Sequence, residues 1–344
     1  MADNVALHMA SCPKYKNILE NLGFSPGSLH SIEDLWKIPP LPTSYLKSAT
    51  LLSKPYDKLL IKTTSSGTGG KKTLSGYDKG SALCALSMAL KVLRFHKLLS
   101  FKLSNYIILG PKPDALIQTA TAKALKYFTL LAPAKKVIYA VKVINGVYKV
   151  DTEALVQSII KFEHEGYPVR IVGFPGYFKL FMSELIQRNI RLRLHKESKV
   201  LLGGGWKTFF SEEVSKDELF SMARDTLDLL PQNLKEHFSA AEHPVNYLSC
   251  ENKRFHVPVF SRIIIRDVKS LAPVENGSPG ILNLISPILS SAPYGSILTD
   301  DIAVMRKDDC GCGVASPYVE IIGRVGLSNL RTCTQAASEF LKNL

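Results

Sequence analysis

Apolar and polar positions along this chain repeat with two periods, which predicts helices and strands in alternation. Between residues 81 and 99, leucines recur three or four positions apart at 83, 86, 90 and 93, the spacing of an amphipathic helix. Short apolar runs bounded by glycine or proline predict strands instead. By these criteria we predict strands at 59–61, 105–109, 137–141, 169–173 and 200–205, and helices at 115–127, 152–165 and 177–188. This alternation is typical of α/β folds, whose ligands bind beyond the strand ends.

The pattern changes at both ends of the chain. The first fifty or so residues predict helices broken by loops, with the proline-rich segment 39–42 as a breaker. After about residue 255, short strands dominate, at 259–266, 280–285, 302–306 and 319–322. We therefore expect a β-rich region to follow the alternating one.

Hydroxyl, glycine and lysine residues are concentrated in one segment, Thr63 to Lys72, directly after the first predicted strand. Hydroxyls and backbone N–H groups donate to phosphate oxygens, glycine lets the main chain approach them, and lysine neutralises their charge. The P-loop pattern does not fit, because Ser65 stands at its first glycine and Lys72 at its Ser/Thr. The segment predicts a phosphate-binding loop with ATP as its first candidate ligand, and a flexible surface loop is the alternative.

Composition narrows the class of protein. With 344 residues, 46% hydrophobic and 21% charged, the chain is long enough for a large core. The net charge of +13 comes from scattered lysines and arginines without zinc-finger or RNA-binding signatures, so dedicated nucleic-acid binding is not expected. The N-terminus lacks a secretory pattern, and three prolines interrupt the uncharged run 277–299. We expect a soluble, cytoplasmic protein whose six cysteines are thiols.

Three further positions carry candidate chemistry, each with an ordinary alternative. Glu242 ends the small-residue segment after Phe238 and can hold Mg²⁺ near phosphates, or it is an exposed loop carboxylate. Asp301 can bind ribose hydroxyls, or it belongs to a turn. Arg324 can contact ribose or phosphate, or it is a surface arginine.

Taken in order, these segments resemble the adenylate-forming enzyme superfamily. The closer resemblance is to the acyl-protein synthetase subunit of the bacterial luminescence fatty acid reductase, with phenylacetate–CoA ligases as more distant relatives. It covers most of the chain from about residue 55 onward and is carried by the segments GGGWK at 203–207, RFHVPV at 254–259, ILTDDI at 297–302, SPYVEIIGRVG at 316–326 and RTC at 331–333.

The resemblance implies activation of a carboxylic acid by ATP and Mg²⁺, followed by transfer of the acyl group to a thiol. The ATP-binding residues it implies are Thr64, Ser65, Ser66, Gly67, Thr68, Gly69, Lys71, Gly203, Gly204, Gly205, Glu242, Asp301 and Arg324. Within this set the glycines at 203–205 flank the adenine and Glu242 serves Mg²⁺. Phe174, Pro175, Phe178 and Trp206 are candidate walls of an acyl pocket.

The chain departs from the superfamily in two places. Larger members carry a mobile C-terminal domain of about a hundred residues with a catalytic lysine, whereas twenty residues follow Arg324 here. Lys71, Lys72 and Lys207 are the candidate replacements for that lysine. The acidic motif also reads Ala-Ala-Glu242, where relatives usually keep glycine and threonine. The predicted fold is a large α/β adenylate-forming domain with a β-rich subdomain and a strongly truncated C-terminal domain.

The domain boundaries follow from this comparison. Residues 1–323 are predicted to bind ATP and the acyl group, with the β-rich subdomain at about 245–323. Residues 324–344 form a short C-terminal segment that carries Cys333. The luminescence synthetase resemblance implies that Cys333 accepts the acyl group as a thioester and presents it to an acyl reductase. An idle thiol is the alternative.

A second group of cysteines indicates a metal. Cys250, His256, Cys310 and Cys312 supply three thiolates and one imidazole, a donor set of structural zinc sites. The phenylacetate–CoA ligases show a similar arrangement. The alternative is reduced cysteines in a glycine turn beside a packed histidine.

Three functions remain open at this point. The first is an acyl-protein synthetase that activates a fatty or other apolar acid and transfers it to Cys333. The second is a ligase that transfers the acyl group to coenzyme A or a carrier protein. The third is a catalytically silent scaffold that binds nucleotide and a partner.

Overall fold

Strands and helices alternate between residues 134 and 238, as the periodicity predicted. Most of the helix predicted at 115–127 lies outside the described residues. The computed structural model describes residues 1–64, 74–113, 125–144, 147–206 and 213–324. The described chain forms two units, one from residues 1–92, 239–247 and 254–324 and the other from 93–238 and 248–253. The predicted boundaries at 245, 323 and 324 follow a different division and stay a prediction.

The second unit is built on a largely parallel sheet. Its strands are β4 (Ser104–Pro111), β5 (Ala134–Ile144), β6 (Val147–Val150), β7 (Val169–Gly173), β8 (Lys199–Gly203) and β9 (Leu234–Phe238). They lie in the order β9-β8-β7-β4-β5-β6, and the short β10 (Tyr247–Leu248) follows β9 at the edge. All pairs from β9 to β5 are parallel, and β5–β6 is antiparallel. The α/β fold class is therefore confirmed.

Helices α5 (Thr152–Glu165), α6 (Pro175–Gln187) and α7 (Lys216–Leu227) belong to the same unit. Asp151 caps the start of α5 by accepting from the Ala154 N–H at 3.0 Å, and Gly166 ends it with a φ of 69°. Proline at the first position of α6 suits its missing N–H. Apolar residues of these helices and the central strands form one buried cluster that includes Phe162, Phe178 and Ile171.

The first unit contains an antiparallel sheet in the order β11-β15-β14-β13-β12. Its strands are β11 (Phe255–His256), β12 (Arg262–Arg266), β13 (Pro279–Ile285), β14 (Ser296–Arg306) and β15 (Tyr318–Arg324). These elements confirm the strands predicted after residue 255. The proline-rich breaker at 39–42 behaves differently from the expectation, because β1 (Leu41–Pro42) pairs in parallel with Ile297 and Leu298 of β14. Proline is tolerated there because β1 has only two residues and lies off the main path of the sheet.

Three helices precede residue 50: α1 (Ala2–Ser11), α2 (Pro13–Asn21) and α3 (Thr43–Leu46). Their apolar faces pack with Leu289 and Tyr294 in a second buried cluster. The antiparallel pair β2 (Ile61–Thr64) and β3 (Leu74–Tyr77) leads into α4 (Lys79–Phe95). Asp78 precedes α4 and accepts from the Ser81 N–H at 2.7 Å, which satisfies one N–H of the first turn.

Helix α4 confirms the predicted amphipathic helix, but its leucines are not its buried side. Met88 and Val92 are buried, whereas Leu83, Leu86 and Leu90 are 59%, 57% and 46% exposed. None of the described helices combines the length and the apolar composition that crossing a membrane requires.

One buried arginine makes hydrogen bonds to several segments of the first unit, and no sequence pattern predicted it. Arg266 on β12 is 3% exposed. Its guanidinium donates to Asn283 Oδ1 at 2.9 Å and to the carbonyls of Leu271 and Trp36 at 2.7 Å each. Burial lowers the pKa of Arg266 to about 10, so it stays charged at neutral pH.

Candidate functional site

Asp301 and Arg324 lie opposite each other on neighbouring strands of the first unit. They are register partners in the β14–β15 pair, and the Arg324 Nε lies 3.8 Å from Asp301 Oδ1. The Thr299 hydroxyl accepts from the Asp301 N–H at 3.1 Å and donates to the Leu282 carbonyl at 3.2 Å. Two residues that the sequence placed 23 positions apart are thus brought together as a carboxylate–guanidinium pair.

Burial and neighbouring charges change the pKa of Asp301. The Asp301 side chain is 18% exposed, and desolvation raises its pKa above the ordinary value, with Asp300 adding to the rise and Arg324 opposing it. Arg324 itself is 59% exposed. A half-buried carboxylate beside an exposed guanidinium can accept from vicinal hydroxyls while the cation meets a phosphate.

Glu242 lies in the first unit in a short turn, and its neighbour His243 is held by a chain of hydroxyls. Glu242 is 5% exposed. Burial raises the pKa of Tyr294, and the charge of Glu242 raises it further. The His243 Nε2 lies 3.1 Å from the Tyr247 hydroxyl, which lies 2.6 Å from the Ser261 hydroxyl. Ser261 donates to the Ile285 carbonyl at 3.1 Å. A buried carboxylate of this kind is a fitting ligand for Mg²⁺ when phosphate oxygens supply further positions.

The Ser261 hydroxyl also lies 3.4 Å from the His243 Nε2, so this ring nitrogen faces two buried hydroxyls. Burial lowers the pKa of His243 to about 3, which keeps the ring neutral at physiological pH. Sequence reasoning missed this support of the turn, although the position of His243 next to Glu242 was a signal.

In the second unit, the glycines after β8 lie against Phe174. Gly204 and Gly205 have φ values of 84° and 71°, a region that favours glycine. A Cβ on Gly204 would lie 2.6 Å from Phe174 Cε1, and one on Gly203 would lie 2.7 Å from the His237 carbonyl oxygen. An added Cβ on Gly205 would have no atom within 4 Å, so the main chain is open at that position, which suits a flat ring.

This arrangement predicts the effect of one added methyl group. Gly204→Ala is expected to lower the free energy of unfolding by about 2–4 kcal/mol, because it combines left-handed strain with overlap against a buried ring. Gly205→Ala is the matched control, since it has the same strain but no atom within 4 Å of its Cβ. Denaturant unfolding of both variants gives the comparison, and equal losses would contradict the role assigned to the Phe174 contact.

The four candidate acyl-pocket residues lie in the second unit but differ in exposure. Phe174 precedes α6 and is buried, and its ring meets Tyr177 edge-on with centroids 6.1 Å apart. Pro175 begins α6, and Phe178 is fully buried in the unit's core. Trp206 is partly buried and packs against the same core. The role of these residues as pocket walls stays a prediction.

The predicted metal ligands come together. The ligand atoms of Cys250, His256, Cys310 and Cys312 all lie within 4.8 Å of one another. The His256 Nε2 lies 3.1 Å from the Sγ atoms of both Cys310 and Cys312, and those two sulfurs are also 3.1 Å apart. The His256 Nδ1–H donates to the Ser316 carbonyl at 2.8 Å, which leaves Nε2 unprotonated toward the sulfurs.

The donor set fits a tetrahedral metal. Bonds of about 2.0–2.3 Å place the four ligand atoms of such a zinc site about 3.3–3.8 Å apart. All four cysteine and histidine side chains are buried or half-buried, and the three thiols are free of disulfides. Soft thiolates with one imidazole favour zinc over calcium or magnesium.

Comparison with known proteins finds one family that matches nearly the whole chain. Residues 1–342 match the family described as "Acyl-protein synthetase, LuxE". The chain belongs to the acyl-protein synthetase family. It is 24% identical over 344 residues to a long-chain-fatty-acid–luciferin-component ligase of Vibrio harveyi, covering 96% of this chain and 84% of the relative. A ligase of the same name from Aliivibrio fischeri is 25% identical over 339 residues, with the same coverage.

Solved structures agree with this acyl-protein synthetase assignment at the level of fold. A 2-hydroxyisobutyryl-CoA ligase in its post-adenylation state aligns with a TM-score of 0.70 at 14% identity, over 99% of this chain and 70% of that one. ATP-bound MatB from Rhodopseudomonas palustris aligns with a TM-score of 0.51 at 13% identity, over 79% and 49%. The family match confirms the predicted resemblance to the acyl-protein synthetases, and these structures confirm the predicted fold.

Part of the site predicted for this acyl-protein synthetase lies outside the described residues. Thr64 is the last residue of β2. The remaining residues of the phosphate-loop prediction (Ser65, Ser66, Gly67, Thr68, Gly69, Lys71 and Lys72), together with Lys207 and Cys333, fall in segments that the structure does not describe. Their roles stay predictions.

Proposed function

We propose that this protein activates a fatty or other apolar carboxylic acid with ATP and passes the acyl group to a thiol. The observation that carries this proposal is the family match over nearly the whole chain. The pairing of Asp301 with Arg324 and the open main chain at Gly205 support it, because each is suited to part of a nucleotide.

In the first step, a carboxylate oxygen of the acid attacks the α-phosphorus of ATP, and pyrophosphate leaves. Asp301 accepts from the ribose hydroxyls, and Arg324 meets ribose or phosphate oxygens. The loop residues 64–71 receive the pyrophosphate, with Lys71 and Lys207 as its balancing cations. Glu242 would hold Mg²⁺, which supplies charge neutralisation for the phosphates when bound.

In the second step, a thiolate attacks the acyl carbonyl. The new C–S bond forms as the C–O bond to AMP breaks, and the thiol proton goes to solvent. The proposed thiol is Cys333, with delivery of the acyl group to an acyl reductase. Coenzyme A or a carrier-protein thiol is the second candidate acceptor, because the fold is shared with CoA ligases.

Intact mass after reaction tests this proposal. The protein is incubated with ATP, Mg²⁺ and a panel of fatty acids, and its mass is recorded before and after hydroxylamine. A hydroxylamine-labile acyl increment is expected and identifies the preferred acid. AMP release without an increment would move the acceptor to an external thiol, and the absence of both would leave a nucleotide-binding scaffold.

Asp301→Asn is expected to weaken ATP binding about 10- to 100-fold, because hydrogen bonds to a charged acceptor contribute about 1.5–3 kcal/mol. Asp300→Asn is the matched control, since this neighbouring carboxylate faces Thr43 and Lys47. Titration calorimetry with ATP gives both affinities. An unchanged ATP affinity in Asp301→Asn would remove Asp301 from the site.

Two further assignments accompany the proposed activity. Cys250, His256, Cys310 and Cys312 are proposed to hold a structural zinc, which their donor chemistry and spacing support. A cytoplasmic location is proposed with it, because cysteines that are not in disulfides are typical of a reducing compartment.

A further inference from the structure

The outward face of helix α4 carries a narrow row of leucines. Leu83, Leu86 and Leu90 follow one another at intervals of three and four residues. At 100° per residue their Cβ atoms fall within about 60° of arc, and Met88 and Val92 lie on the other side of the helix. The burial of Met88 and Val92 and the 46–59% exposure of the leucines agree with that placement. The three leucines are called the α4 seam below.

The geometry of the seam indicates the kind of surface that covers it. A strict three–four alternation is the pattern of a helix that packs its seam against another helix. A membrane-surface helix instead needs a broad apolar face. The exposed positions beside the leucines on α4 include Lys79, Ser87 and Arg94, and the exposed Phe95 lies about 120° around the helix from Leu83, so the leucine row stays narrow. The α4 seam therefore favours a helix as its occupant.

The charges on α4 indicate what kind of helix would bind to the seam. Helix α4 contains three cations, Lys79, Lys91 and Arg94, and no aspartate or glutamate. Lys79 and Arg94 are exposed at its two ends, close to the direction in which the seam points. A second copy of α4 would bring like charges together in either orientation, which costs binding energy. A helix with glutamates flanking its apolar row would match both the seam and the cations.

We propose that the α4 seam docks an acidic amphipathic helix of a partner protein. The inference does not rest on the ligase activity, because it uses only the exposure, spacing and charge of α4. It also explains why apolar side chains of a 17-residue helix face outward in the described structure, where an exposed leucine row on a helix is a typical interaction surface.

A synthetic helix provides the probe. The full chain is titrated with a labelled heptad peptide that carries leucine at positions a and d and glutamate at e and g, and with a matched peptide that carries lysine at e and g. Fluorescence anisotropy is expected to show binding of the glutamate peptide only, with affinity falling as salt rises. Equal binding of both peptides, or of neither, would overturn the proposal.

Variants locate the binding on the seam. Leu83→Gln/Leu86→Gln/Leu90→Gln is expected to weaken the glutamate peptide at least about tenfold, while Leu7→Gln/Leu22→Gln, at two other exposed leucines, leaves it unchanged. Lys79→Glu/Arg94→Glu is expected to reverse the preference toward the lysine peptide. Circular dichroism and thermal unfolding check that the variants are folded.

The same protein samples also test two other occupants of the α4 seam, a second copy of this chain and a lipid surface. Sedimentation of the wild-type chain alone tests a second copy, and flotation with phosphatidylglycerol vesicles tests a lipid surface. Seam-dependent dimerisation or seam-dependent vesicle binding, without binding of the glutamate peptide, would overturn the proposal.

Discussion

Cys333→Ala is expected to abolish the hydroxylamine-labile acyl-enzyme and to leave formation of acyl-AMP unchanged. The two steps use different groups: adenylation needs the nucleotide site, whereas thioester formation needs a nucleophilic sulfur. Methyl replaces thiol in this variant, so no nucleophile is left at that position. ATP–pyrophosphate exchange measures the first step and intact mass measures the second.

The control for this result is another accessible thiol. Cys84 is exposed on α4 and has no assigned role, so Cys84→Ala should retain the full acyl increment. Loss of both steps in Cys333→Ala would contradict the division of roles. Retention of the increment would show that a different thiol accepts the acyl group, and peptide mapping would then identify it.

Local signals account for the parts of the fold that the sequence predicted well. Helix α5 was predicted at 152–165 and is observed there, because Asp151 and Gly166 mark its two ends by local chemistry. Strand β7 was predicted at 169–173 and matches as well, since a short apolar run between a proline and a glycine has few alternatives. Such elements are specified within a few residues of chain.

Contacts between distant segments account for what the sequence did not predict. The leucines of α4 repeat with a helical period, but the period alone does not say which side meets the core. Leu41 and Pro42 became a strand because β14, more than 250 residues later, offered a pairing edge. Arg266 and the His243 chain depend on carbonyls and hydroxyls from several elements, which no local pattern reports.

The candidate site was predictable in its residue types and less so in its geometry. The motif containing Asp301 and the one ending at Arg324 were recognised separately, and their opposition follows from the register of β14 and β15. The metal ligands are likewise joined by register, because His256 pairs with Tyr318 while Cys310 and Cys312 lie in the loop before it. Sheet register is set by side chains far apart in sequence, and spacing alone does not supply it.

Cys310→Ser is expected to reduce the zinc content from about one ion per chain to near zero and to destabilise the first unit. A thiolate is lost from a set of four, and a serine hydroxyl is a much poorer zinc ligand. Zinc sites of this kind contribute about 10–16 kcal/mol where they are the main source of stability. The unit also has a hydrophobic cluster of its own, so we expect a smaller loss, of about 3–5 kcal/mol.

The measurement pairs metal analysis with denaturant unfolding, in the wild type, in Cys310→Ser and in Cys84→Ser as the control. Cys84→Ser should keep both the metal and the stability. A chelator should lower the stability of the wild type toward that of Cys310→Ser and leave Cys310→Ser unchanged, because the variant has no ion to lose. A wild-type protein that is metal-free after growth with zinc and that is as stable as its chelated form would exclude the cluster as a zinc site. In that case the 3.1 Å approach of His256 to Cys310 and Cys312 is ordinary packing of a histidine against two thiols.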